Sequence, residues 1–115
     1  MAKQIPERES DIQATIRDYL RWTGWYVVRH HQTLGSHVGL ADLQAIKDGQ
    51  VLMIEVKTRR GRQSQDQLEF EREWTEHGGI YIVARSVEDV QKAIAERAWK
   101  TIRGREPHAT SDNTS

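Results

Sequence analysis

A chain of 115 residues is long enough for one domain with its own core and too short for two. It contains no cysteine, which excludes disulfides, thiolate zinc sites and a cysteine nucleophile, so any metal must be held by oxygen or imidazole. Formal net charge is zero, so contact with nucleic acid has to come from a local basic face rather than from overall charge.

The opening MAKQIPERES is polar and lacks the apolar stretch of a signal peptide. The longest aliphatic run, Val51-Leu52-Met53-Ile54, is far short of the roughly 18 residues of a membrane span. A cytoplasmic protein of bacterial or phage origin, without membrane contact, is expected. Pro6 suits a first helical turn and Gly24 a helix end, and between them Ile12, Ile16 and Leu20 recur every four residues as one apolar stripe. Trp25 to His31, aromatic and β-branched, predicts a strand, and Gln32 to Gly39 a loop. Leu40–Lys47 and Val51–Thr58 form a hairpin about Asp48-Gly49, and Arg59 to Gln63 is a basic connection.

Ser64-Gln-Asp-Gln67 is a capping box that opens a second helix, closed by Gly78-Gly79. Ile80 to Arg85 is a short apolar strand. Ser86-Val-Glu-Asp starts a third helix with Val87, Val90, Ile94 and Ala98 on one side. The third strand, second helix and fourth strand make a crossover unit, so those two strands should be parallel. The order is α-β-β-β-α-β-α, an α/β fold with a four-stranded mixed sheet flanked by helices. One domain over 1–103 and a disordered tail over 104–115, where apolar periodicity ends, are expected.

The hairpin holds the chemistry. With Asp48-Gly49 as a two-residue turn, Lys47 faces Gln50 and Asp42 falls opposite Glu55, with Lys57 on the same face. Like charges directly opposed on paired strands destabilise a sheet. A hard divalent cation removes that penalty, since magnesium takes carboxylate oxygens at about 2.0–2.1 Å. Two acids around such an ion, with a lysine beside them, are the equipment of phosphodiester hydrolysis. The simpler reading is a solvated acid pair with Lys57 as ion-pair partner. It fits poorly, because Leu43, Ala45, Leu52, Ile54 and Val56 line one face while Ile46, Val51 and Met53 add apolar weight to the acids' own face.

Taken in order with the glycine-basic loop and the Ser-x-x-Gln after them, these residues resemble the PD-(D/E)XK nuclease superfamily and, more narrowly, the VRR-NUC family. The resemblance spans about residues 8 to 95 and rests on Glu9, Gly39-Leu-Ala-Asp42, Ile54-Glu55-Val56-Lys57, Gly61-Arg62-Gln63-Ser64, Gln67 and the strand running into Ser86-Val-Glu-Asp-Val90. The family usually has proline before the first acid where this chain has Ala41; proline stiffens that approach and supplies no ligand. The resemblance implies that Asp42, Glu55 and the Val56 carbonyl bind Mg2+ or Mn2+, that Lys57 is catalytic, and that Glu9 is an additional acid of the catalytic and metal set.

Several residues carry two readings. Glu9 begins the stripe of Ile12 and Ile16, yet an acid in a first turn also suits the helix dipole. Gln67 completes the capping box, yet it shares a face with Phe70 and Trp74 and can reach the sheet, where the family has a catalytic glutamine. Lys57, Arg59, Arg60 and Arg62 put four cations within six residues. A charge run is usually a solvated loop, but beside a metal site Arg59, Arg60 and Arg62 become phosphate contacts, with His37 a further DNA contact. At most one of the adjacent His30 and His31 can face the site. Trp22, Trp25, Trp74 and Trp99 read as core or interface. The expected function is metal-dependent endonucleolytic cleavage of branched DNA by a homodimer, Holliday junctions being the narrower reading. The alternatives are a flap or fork nuclease, and a non-cleaving DNA-binding module on the same fold.

Overall fold

The computed structural model describes residues 7–31 and 36–105. Pro6, the start of the loop after His31 and most of the expected tail lie outside the described residues. Three helices and four strands succeed one another in the predicted order: α1 (Glu9–Trp22), β1 (Tyr26–Arg29), β2 (Leu43–Lys47), β3 (Gln50–Val56), α2 (Gln65–Glu76), β4 (Ile80–Ala84) and α3 (Val87–Arg105). No helix among the described residues is long and apolar enough to cross a membrane. α3 continues two residues into the segment expected to be a tail.

The sheet runs β1-β2-β3-β4, antiparallel across the first two junctions and parallel between β3 and β4. Hairpin register is as the turn dictates. Lys47 pairs with Gln50 and Leu43 with Ile54, while Asp48 and Gly49 take φ of 51° and 79°, as a type I′ turn requires. β2 is shorter than expected, starting at Leu43 rather than Leu40. Asp42 therefore stands one residue outside it, although its carbonyl still accepts the His30 N–H at 2.8 Å.

Alternation along the strands separates two faces. Leu43, Ala45, Leu52, Ile54, Val56, Ile82 and Ala84 form one core with Ile12, Ile16 and Leu20 of α1 and Val90 of α3. Burying each of these larger side chains contributes about 1.5–3 kcal/mol. Val87 and Ile94 pack against that core, but Ala98, expected there too, is exposed one turn further along α3.

α2 lies over the opposite face on its β4 side and reaches the end of β3, where Gln67 meets Glu55. Phe70 stacks on Trp74 at 5.8 Å and leans on Tyr81 at 6.2 Å, and the Trp74 indole N–H donates to the Ile80 carbonyl at 3.1 Å. Among the described residues no helix covers the β1–β2 side of that face, where Tyr26 is 70%, Val28 40% and Ile46 41% exposed. Trp25 is a core residue, whereas Trp22 is 89% exposed and belongs to no core. The Trp99 side chain lies outside the described part of the molecule.

Candidate active site

β3, with a neighbour on each side, is buried from Leu52 to Val56, and this includes Glu55 at 1% exposure. Its carboxylate is bound unevenly. Oε2 accepts the Gln67 amide N–H at 2.9 Å and lies 3.4 Å from Lys57 Nζ, whereas Oε1 is buried without a hydrogen-bond partner among the described residues. Burial first, and the charge of Asp42 second, push the Glu55 carboxyl up to about 7 against the opposing pull of Lys57. A half-satisfied acid in the middle of a sheet is costly by itself.

Asp42 reaches the same end of β3 from the last residue before β2. Its Oδ2 accepts the Val56 N–H at 2.8 Å, which fixes the carboxylate beside Glu55. The segment carrying it is held from two sides. His30 bonds the Ala41 carbonyl through Nδ1 at 2.8 Å and the Gln44 side chain through Nε2 at 3.1 Å. Gly39, at φ +79°, lies so close to α2 that a β-carbon there would stand 2.1 Å from the Asp66 carbonyl oxygen. Only glycine allows that approach.

Gln67 fulfils both of its readings at once. Its main-chain N–H donates to Ser64 Oγ at 3.2 Å and its Oε1 accepts the Ser64 N–H at 2.9 Å, completing the capping box. The remaining amide nitrogen is then directed at Glu55. A helix cap thus also orients an acid.

The buried stripe of α1 does not extend back to Glu9: that residue is exposed in the first turn, and the stripe begins only at Ile12. Among the described residues no group of three or more His, Asp or Glu side chains stands close enough to share a metal. Solvent and the unpaired N–H groups of the helix start account for the position of Glu9. Arg59, Arg60 and Arg62 are on the connection after Lys57, with Arg59 and Arg60 exposed at its turn. His37 lies near α2, with its ring edge-on to Phe70 at 5.4 Å. His30 is committed to Ala41 and Gln44, and His31 is exposed.

Some contributors carry no sequence signal that separates them from ordinary polar residues. The Gln63 amide donates to Glu71 at 3.1 Å and to the Tyr81 hydroxyl at 3.4 Å, a second layer behind the acids. Burial and the Glu55 charge push the Tyr81 phenol up. Arg85 bonds the main chain of the basic connection.

Parallel pairing of β3 with β4, an acid at the end of the hairpin, and E-x-K running off the end of β3 are the features of a restriction-endonuclease-like fold. A solved VRR_NUC domain has this fold, with a TM-score of 0.66 at 21% identity over 76% of this chain and 94% of that one. A family model, the archaeal Holliday junction resolvase (Hjc), matches residues 5–90, and the chain belongs to that family. No curated protein matches the sequence. The expectation of a VRR-NUC-like nuclease is thereby met, and the protein is a nuclease acting on DNA.

Proposed function

We propose that this nuclease is a divalent-metal-dependent endonuclease that hydrolyses phosphodiester bonds in branched DNA, Holliday junctions above all, as a homodimer. The observation that carries the metal-dependent reading is the buried Glu55 Oε1, which has no hydrogen-bond partner among the described residues and sits beside the second acid, Asp42. The donor set fits Mg2+ or Mn2+, since magnesium binds through one or two carboxylates and keeps several waters. Asp42, Glu55 and the Val56 carbonyl would hold the ion.

When bound, such an ion makes water a better nucleophile and offsets charge growing on the phosphate. The protein's own groups prepare the rest. Gln67 holds one oxygen of Glu55, leaving the other free. Lys57, 3.4 Å from the same carboxylate, orients the attacking water or neutralises the phosphate in the transition state. Arg59, Arg60, Arg62 and His37 bind flanking phosphates and so fix the scissile bond in register. Resolving a four-way junction takes two symmetric cuts, and a twofold pair of chains supplies both sites. Trp22, Tyr26, Val28 and Ile46 are exposed and offer the dimer its apolar contact.

The test is incubation of purified protein with labelled four-way junctions, flaps, forks and duplex, in Mg2+, Mn2+ or a chelator. Paired symmetric cuts in the junction that require metal are expected. Preferential cutting of flaps or forks would replace the resolvase reading. Binding without cleavage of any substrate would make the protein a DNA-binding module.

A further inference from the structure

Arg85 comes directly after β4 and is exposed, yet its guanidinium is engaged with the main chain of another segment. Nη1 donates to the carbonyl oxygens of Thr58 at 2.6 Å and Gly61 at 2.7 Å, with that of Arg59 at 3.4 Å. These carbonyls belong to one turn, closed by the Gly61 N–H on the Thr58 oxygen at 3.1 Å.

Arg85 itself starts from a fixed point. Its main-chain N–H donates to Asp89 Oδ2 at 2.8 Å, and the Asp89 N–H donates to the Ser86 carbonyl at 3.2 Å in the first turn of α3. One residue before it, the Ala84 carbonyl accepts the Lys57 N–H at 3.0 Å. The ends of β3 and β4 are therefore tied twice, once by main chain and once by the guanidinium.

The tied turn contains Arg59 and Arg60, with Lys57 before it and Arg62 after it. Four like charges in so short a segment repel one another and favour an open, variable loop. The carbonyl oxygens are where this turn carries partial negative charge, and a guanidinium that takes them holds the turn closed. Nη1 carries two N–H groups, enough to serve the two near oxygens of Thr58 and Gly61, and the guanidinium stays charged at any working pH.

We propose that Arg85 is a positioning residue that holds the 58–61 turn in the form that presents Arg59, Arg60 and Arg62 together to DNA phosphates, acting through the turn rather than by its own contact with DNA. The inference rests on the reading of that loop as a DNA contact.

Two measurements test it, with circular dichroism confirming that each variant is folded. The first is amide exchange in the DNA-free protein. In Arg85→Ala the Gly61 amide should exchange at least about tenfold faster while β3 and β4 stay protected, with Arg85→Lys intermediate. The second is binding to a labelled junction over a salt series. Arg85→Ala should weaken binding about tenfold and lower the log–log slope by more than the roughly 0.9 expected when a single phosphate is released. Added to a variant with Arg59, Arg60 and Arg62 all replaced by alanine, it should weaken binding less than about twofold, because the groups it positions are gone.

Unchanged Gly61 exchange in Arg85→Ala would overturn this proposal alone. Equal weakening in both backgrounds would also overturn it, by showing that Arg85 binds DNA directly. A triple-alanine variant that binds like the wild type would overturn the DNA reading of the loop together with this proposal.

Discussion

Glu55 is the residue on which most depends. If Asp42 and Glu55 hold the metal, Asp42→Asn and Glu55→Gln should each reduce junction cleavage at least about a hundredfold while junction binding and the circular dichroism spectrum stay near wild type. Near-normal cleavage by either variant would refute the assignment. The same carboxyl makes stability depend on pH in the metal-free protein. Its folded pKa, about 7, lies above the ordinary 4.5, so between those values the native state holds a proton that the unfolded chain has lost. The stability it contributes is complete below about pH 4.5 and is lost as pH rises through 7. In chelator, Tm should fall over that window, and Glu55→Gln should flatten the fall. At about pH 8, adding Mg2+ should raise the Tm of the wild type but not of Glu55→Gln. A Tm that ignores both pH and metal in the wild type would count against a buried ionisable ligand.

At the scale of elements, the site is a joint between the segment before β2 and the start of α2. Asp42 comes from the first and Gln67 from the second, and Gly39 is where the two backbones meet. Gly39→Ala adds a β-carbon that would collide with the Asp66 carbonyl, and it forces alanine into a left-handed conformation that costs about 1–2 kcal/mol before any clash. Stability should fall by at least that amount in denaturant unfolding, and kcat should fall with it because Asp42 and Gln67 are moved apart. A variant of wild-type stability and kcat would show that the joint tolerates a β-carbon. The basic connection is a second such element. Replacing Arg59, Arg60 and Arg62 by alanine should flatten the salt dependence of junction binding, by about 0.9 in log–log slope for each phosphate no longer neutralised. An unchanged slope would reduce these arginines to a solvated loop.

For the whole molecule, the side of the sheet face that no helix covers among the described residues sets the prediction. Tyr26 and Ile46 are paired there across β1 and β2. Light scattering at micromolar concentration should give twice the chain's mass, and Tyr26→Glu with Ile46→Glu should give the mass of one chain. In that double variant, paired symmetric cuts should give way to single nicks. A wild-type monomer, both free and junction-bound, would remove the dimer and favour a flap nuclease.

Much of this molecule is legible in its sequence, and the reason is local. Asp48-Gly49 allows few hairpin registers, and that register brings Asp42 to Glu55; Ser64-x-x-Gln67 is a cap whatever it packs against; the four-residue spacing of Ile12, Ile16 and Leu20 permits one buried face. Each is a short-range constraint set by backbone sterics or helical period. Tertiary structure decided what depends on distant partners. Glu9 lies three residues from Ile12, which suggests the buried stripe, but it is exposed because burial depends on what the helix end meets. Trp22 and Trp25 look alike in the sequence, and only the packing of α1 and β1 makes one exposed and the other core. Arg85 looks like any charged residue after a strand; its role rests on three carbonyls far back along the chain, brought near because β4 lies parallel to β3.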